Sequence, residues 1–252
     1  MDLLERVLAG SAADPGVRGV ILTGSHARGL ATAHSDLDVT IVLAELDDPW
    51  QHRVRNAELD ETVCTVEALA DTSVQRRRYG FRGARVLLDR LDGGIAALVE
   101  RQAVPTPAEA TEAARAMLDA YVNQLYRAVK SRRDGDPPLA HLDEIEAVPW
   151  LLETVFALHG RLRPYNKYLP WELSTHPLPG DWNVLLTPAD LPTGALRLFP
   201  AIADLARRHG HSDVLDSWGT DLDLIMASCA DAGRLRVGHR PVARRDRHAG
   251  DP

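Results

Sequence analysis

The sequence predicts an α/β (α+β) chain, with a small mixed sheet flanked by helices in the first hundred residues and an α-helical bundle after it. Three observations carry this. Four short segments rich in β-branched residues, at about 18–23, 38–43, 59–65 and 84–89, alternate with turn and helix signals. Two prolines within three residues in Ala103-Val-Pro-Thr-Pro then break the pattern. Beyond them apolar residues recur only at helical spacing. The expected division is 1–104, 105–232, and a basic tail over 233–252.

Taken in order, the first element is an amphipathic acidic helix in MDLLERVLAGSAADPG, which lacks the basic start and apolar core of a signal peptide. The run VILTGSHARGLATAHSDLDVTIVL, from Val20, reads as strand, Gly-Ser turn with a short helix, and a second strand. Asp47 to Glu58 is polar and helix-compatible. Leu59 to Thr65 alternates as a third strand, with Thr65 capping a helix that begins near Glu67. A strand at 84–89, a turn at Asp92-Gly93-Gly94 and a helix to about Gln102 complete this half. Next comes a long helix from Pro107 to Arg133, ending in basic residues before Gly and Pro. Another is expected from about Leu142 to Gly160, with Pro149 as a kink point, and two more near 188–209 and 212–230.

The most informative stretch is the one around the Gly24-Ser25 turn. Glycine allows close backbone approach, and a turn ahead of a helix offers N–H groups and the Ser25 hydroxyl to anionic oxygen. Asp36 and Asp38 stand two apart at the entrance of the next strand, so their carboxylates point the same way. Such a pair is costly to hold unless a cation neutralises it, and hard oxygen ligands select Mg²⁺ shared with substrate phosphates. Either half alone is a common loop feature; the strand, turn and strand together point to a metal beside a phosphate.

The pattern Gly-Ser, about ten residues, then Asp-x-Asp between two strands resembles the DNA polymerase beta-like nucleotidyltransferase superfamily. GSHARG with HSDLD is similar to its small-molecule branch, which includes the aminoglycoside adenylyltransferases. The resemblance implies a nucleotidyltransferase fold over the first domain. It further implies that Asp36 and Asp38 bind Mg²⁺ and that a third carboxylate comes from a later strand. Aligned on the strand and Thr cap of the streptomycin and spectinomycin enzymes, Asp60 takes that place. Glu61 replaces it if the register slips by one, which flips every side chain to the other face; Glu67 is a weaker candidate.

In the second half, RLRPYNKYLPWEL (161–173) concentrates aromatics and cations. The antibiotic enzymes place a Pro and Lys shortly after a helix-end Gly, and the Lys reaches the nucleotide phosphates across the domain cleft. Gly160, Pro164 and Lys167 look similar, with a spacing two residues longer. Lys167 is thus a nucleotide-binding candidate, the alternative being a structural lysine stacked on Tyr165 or Trp171. Arg28 is a comparable candidate, with helix-surface charge as its alternative.

Composition bounds the rest. At 252 residues and 45% hydrophobic content the chain can build one large domain or two modest ones. Two cysteines, Cys64 and Cys229, give neither a disulfide framework nor a zinc spacing, and no apolar run reaches membrane-spanning length, so a cytoplasmic location without membrane contact is expected. A net charge of −7 argues against nucleic acid as a partner. The tail from Arg234, with six Arg against two Asp, reads as a disordered end. The resemblance then implies transfer of a nucleoside monophosphate, AMP from ATP, to a hydroxyl of a small molecule, with Mg²⁺ (two ions) as cofactor and pyrophosphate released. An aminoglycoside-type antibiotic is one such acceptor, which Asp143, Glu144, Glu146 and Glu153 of the helical half would attract, the alternative for most of them being ordinary helix-surface charge. Two other readings stand beside it: a protein adenylyltransferase of a toxin-antitoxin pair, and a nucleotide-binding protein without catalysis.

Overall fold

The structure, a computed structural model, describes residues 1–237 of the chain. It divides into two compact units, Met1–Thr111 with His159–Leu169, and Glu112–Leu158 with the remainder from Pro170. The division falls just inside the long helix rather than at the Pro pair, and the segment carrying Lys167 belongs to the first unit. Most of the basic tail lies outside the described residues.

The first unit opens with α1 (Leu3–Ala13), set by a capping box in which Asp2 accepts from the Glu5 N–H and Glu5 from that of Asp2, both at 2.8 Å. There follow β1 (Val17–Leu22), the short α2 (Gly24–Ala27), β2 (Leu37–Leu43), β3 (Trp50–Arg55) and β4 (Leu59–Thr65). Then come α3 (Val66–Ala70), α4 (Gln75–Arg78), a 3₁₀ turn at Tyr79–Phe81, β5 (Arg85–Asp89) and α5 (Gly94–Ala103). The five strands form one mixed sheet in the order β3-β4-β2-β1-β5, with β2 and β4 parallel and the other neighbours antiparallel.

β3 corrects the helix-compatible reading of 47–58. Trp50, Gln51 and His52 pair with Cys64, Val63 and Thr62, and a bulge follows before Val54. It is a half-exposed edge strand, where charged side chains are favoured because they blunt edge pairing, and so it lacks the apolar alternation that marks a central strand.

Alternation along the strands sends apolar residues to both faces. Leu37, Val39, Ile41, Leu59 and Val63 pack with α1 on one side. On the other, Ile21, Val42 and Cys64 pack beneath α3, α5 and Phe81. Thr65 caps α3 as expected, accepting from the Ala68 N–H at 3.1 Å. Arg78, fully buried, ties α4 to the end of α5: it donates to the carbonyls of Arg101, Gln102 and Val104 and pairs with Glu109 at 3.2 Å.

The second unit is helical. It holds most of α6 (Pro107–Arg133), all of α7 (Pro137–Leu158), α8 (Leu169–Thr175) from Pro170 on, and α9 (Trp182–Leu185), the 3₁₀ turn at Asn166–Tyr168 belonging to the first unit. α10 (Ala195–Arg208), α11 (Ser212–Asp216) and α12 (Thr220–Val237) complete it, so the predicted pair of late helices is three. α7 continues through Pro149. The core centres on Leu118, Tyr121, Leu151, Phe156, Phe199 and Ile202, and the Tyr121 hydroxyl donates to the Ala195 carbonyl. Among the described residues no helix is long and apolar enough to cross a membrane.

Candidate active site

β1, β2 and β4 lie side by side, and their near ends bring the predicted residues to one place. The parallel register pairs Asp38 with Asp60, Thr40 with Thr62 and Val42 with Cys64. Paired residues on adjacent strands share a face, so this face is layered: carboxylates at the strand entrance, hydroxyls next, and the apolar core below. Asp36 precedes β2 by one residue. Glu61 points to the opposite face, 5% exposed, where Arg53 donates to it. Glu67 is exposed in the first turn of α3. The register therefore puts Asp60, not Glu61, beside Asp38.

The turn after β1 fits around Asp38. The Thr23 N–H donates to the Asp38 carbonyl at 2.9 Å, and Gly24 has φ +62°, a left-handed conformation that suits glycine. A Cβ on Gly24 would lie 1.8 Å from Asp38 Oδ2. The Asp38 carboxylate thus occupies the space that any other side chain would need. Ser25, at 1% exposed, follows in α2.

Arg28 holds this turn in place. One guanidinium nitrogen donates to the Gly24 carbonyl at 2.7 Å and another to the carbonyls of Tyr79 and Gly80 at 3.2 Å, while the group stacks 4.3 Å from the Tyr168 ring centre. It is buried and so is not helix-surface charge. Lys167 is exposed on the 3₁₀ turn, with Nζ 5.6 Å from the Tyr168 ring centre. Tyr165, its other expected partner, donates instead to the Arg76 carbonyl at 2.8 Å and meets Tyr79 edge-on.

The electrostatics converge on Asp38. Burial pushes its carboxyl above the ordinary range, the charges of Asp36 and Asp60 push the same way, and Lys167 and Arg28 pull it back. Tyr168 is likewise held above a normal phenol, chiefly by burial, with added pressure from Asp38 and Asp36. Two neighbouring carboxylates thus press on the half-buried Asp38, where a cation would relieve the repulsion. Among the described residues no three His, Cys, Asp or Glu side chains are gathered closely enough to hold a metal as they stand. Asp60 Oδ1 lies 3.0 Å from His52 Nδ1, so this carboxylate is engaged by β3. His52 is the residue the sequence reading missed. The one signal available ahead of the bulge was Trp50 and His52 alternating with Gln51 and Arg53.

Of the acidic residues expected to attract a cationic acceptor, Asp143 and Glu146 accept from Gln124 at 3.2 Å, and Glu144 takes Arg132. Cys64 is a core residue whose thiol burial pushes up to about 12.

Residues 5–109 match the sequence model of the family described as nucleotidyltransferase domain, a span that encloses Gly24, Ser25, Asp36, Asp38 and Asp60. No curated protein matches the chain. Among solved structures, the crystal structure of a nucleotidyltransferase-like protein from Exiguobacterium sibiricum 255-15 is similar, at 16% identity and a TM-score of 0.41, over 98% of this chain and 94% of that one. Over residues 5–109 the chain therefore carries a nucleotidyltransferase domain of the DNA polymerase beta-like superfamily.

Proposed function

We propose that the protein transfers a nucleoside monophosphate, AMP from ATP, to a hydroxyl of a small molecule and releases pyrophosphate. The observation that carries this reading is the pairing of Asp38 with Asp60 across β2 and β4, beside Asp36 and the Gly24 turn. The residues fit a divalent metal by their chemistry: hard oxygen donors, with Asp36 and Asp60 pressing on Asp38 and the Asp38 carboxyl lying where Gly24 lacks a Cβ. Asp36, Asp38 and Asp60 would hold Mg²⁺, in two ions once Asp60 turns from His52. When bound, the metal neutralises phosphate charge and makes the acceptor hydroxyl more acidic.

The chain's own residues do the rest. The Gly24-Ser25 turn, fixed by Arg28, receives the β- and γ-phosphates. Lys167 offsets the charge that grows on the leaving pyrophosphate, a role its lowering effect on the Asp38 carboxyl supports. Asp60 accepts the proton of the attacking hydroxyl as the acceptor oxygen bonds to the α-phosphorus and the bond to the β-phosphate bridging oxygen breaks. Arg28 positions the turn through its donations to the carbonyls of Gly24, Tyr79 and Gly80.

The test is a pyrophosphate-release screen with purified protein, Mg²⁺ and ATP against a panel of hydroxylated metabolites and antibiotics. Release that depends on one acceptor and vanishes in Asp36→Ala, with an unchanged thermal melt, is the expected result. Full release by that variant would sink the assignment.

A further inference from the structure

A cleft of about 360 Å³ opens on the same sheet face as Asp38 and Asp60. Its floor is the hydroxyl layer, Thr40 and Thr62, one step along the strands from the two carboxylates. Trp50 of β3, Phe81 and Tyr165 present rings to it, and Arg76 and Arg77 add two cations. Arg77 lies 4.7 Å from the Trp50 ring centre, and Trp50 and Phe81 are 6.4 Å apart. Among the described residues no carboxylate lines the cleft.

We propose that this cleft receives the acceptor, and that the acceptor carries a flat ring and is neutral or anionic, not a polycation. The inference rests on the transfer reading above. Sheet order gives the direction: the Gly24 turn at the end of β1, Asp38 on β2, Asp60 on β4 and His52 on β3 follow one another across the sheet. In-line displacement sets the attacking oxygen opposite the leaving pyrophosphate. Pyrophosphate departs on the Gly24-Ser25 side, so the acceptor enters from the Asp60 side, where the cleft extends to Trp50 and His52. Its aromatic walls favour a planar ring, and Arg76 and Arg77 repel a polycation at short range. Of the four acids that would attract a cationic acceptor, three already hold partners within the helical unit, Asp143 and Glu146 accepting from Gln124 and Glu144 pairing with the charge of Arg132. The hydroxyl of a ring seated over Thr40 and Thr62 lies toward Asp60, which takes its proton.

The experiment titrates the full chain with 1-naphthol-5-sulfonate, a flat, hydroxylated, fluorescent anion, alone and with Mg²⁺ and α,β-methylene-ATP. Saturable binding that persists with the nucleotide analogue bound is expected. Trp50→Leu and Arg77→Gln should each weaken it about tenfold or more, with the thermal melt retained. Kanamycin should not displace the dye. Unchanged affinity in both variants, displacement by kanamycin, or displacement by the analogue, which would put the nucleobase in the cleft, overturns the proposal. Arg77→Gln keeps it testable if Trp50→Leu fails to fold. A protein that takes the analogue but not the dye loses the acceptor site and keeps the transfer reading. One that takes the dye but not the analogue sinks the transfer reading, and with it the acceptor role.

Discussion

Gly24→Ala tests the fit between the phosphate turn and Asp38. Two separate costs arise. At φ +62° an alanine sits in the left-handed region, at about 1–2 kcal/mol. Its Cβ would also meet Asp38 Oδ2 at 1.8 Å and Cγ at 2.6 Å, so the carboxylate must swing aside, an overpacking cost of about 1–3 kcal/mol. The sum is about 2–5 kcal/mol, measured by urea denaturation of metal-free protein. Asp38→Ala removes the two closest atoms and leaves only its own Cβ, at 2.9 Å. In that background Gly24→Ala should cost about 1–2 kcal/mol less, because mainly the backbone cost remains. Mg²⁺-dependent ATP binding should also fall in the single glycine variant, since Asp38 has moved. Additivity within about 0.5 kcal/mol, or full ATP binding by Gly24→Ala, would refute the reasoning.

Asp38 also bears on stability against pH. Its folded carboxyl is held above the ordinary value, so its contribution to stability is fully present below the unfolded pKa and lost as pH rises through the folded one. Asp38→Asn should therefore raise the melting temperature of metal-free protein at pH 7, with the gain shrinking as the pH is lowered through that range. The same variant should lose the upward shift that Mg²⁺ gives the wild type. Asp60→Asn should abolish transfer with the melt retained, whereas Glu61→Gln should keep transfer and lose about 1–2 kcal/mol in denaturation, because it breaks a pair with Arg53 on the opposite face. Arg78→Met should cost about 3–5 kcal/mol, since it removes a fully buried cation that donates to three carbonyls, that of Gln102 buried, and leaves Glu109 without its ion-pair partner.

The strands that carry the site were legible because they are central. β1 and β2 are buried on both faces and read as apolar runs, and β4 alternates cleanly between its two environments. β3 was not: as an edge strand it carries charge on both sides of a bulge, and polarity masked its period. That one omission hid His52, and with it the partner that engages Asp60. Asp38 could be named from spacing, whereas Asp60 came from the resemblance to the antibiotic enzymes, and strand phase left Glu61 open until the parallel register paired Asp38 with Asp60. The setting of Arg28 could not, because its carbonyl partners, at Tyr79 and Gly80, lie some fifty residues away. Lys167 raised the opposite problem: its sequence neighbourhood was conspicuous, but membership of the first unit depends on how the chain returns after α7.

The central claim is that Asp36, Asp38 and Asp60 share one metal-bound nucleotide. Mn²⁺ binding followed by electron paramagnetic resonance, with and without α,β-methylene-ATP, measures it without any acceptor. Wild type should bind Mn²⁺ together with the analogue, and Asp36→Ala and Asp38→Ala should weaken that binding at least about 100-fold with the fold unchanged. Equal Mn²⁺ affinity in wild type and both variants would contradict the account.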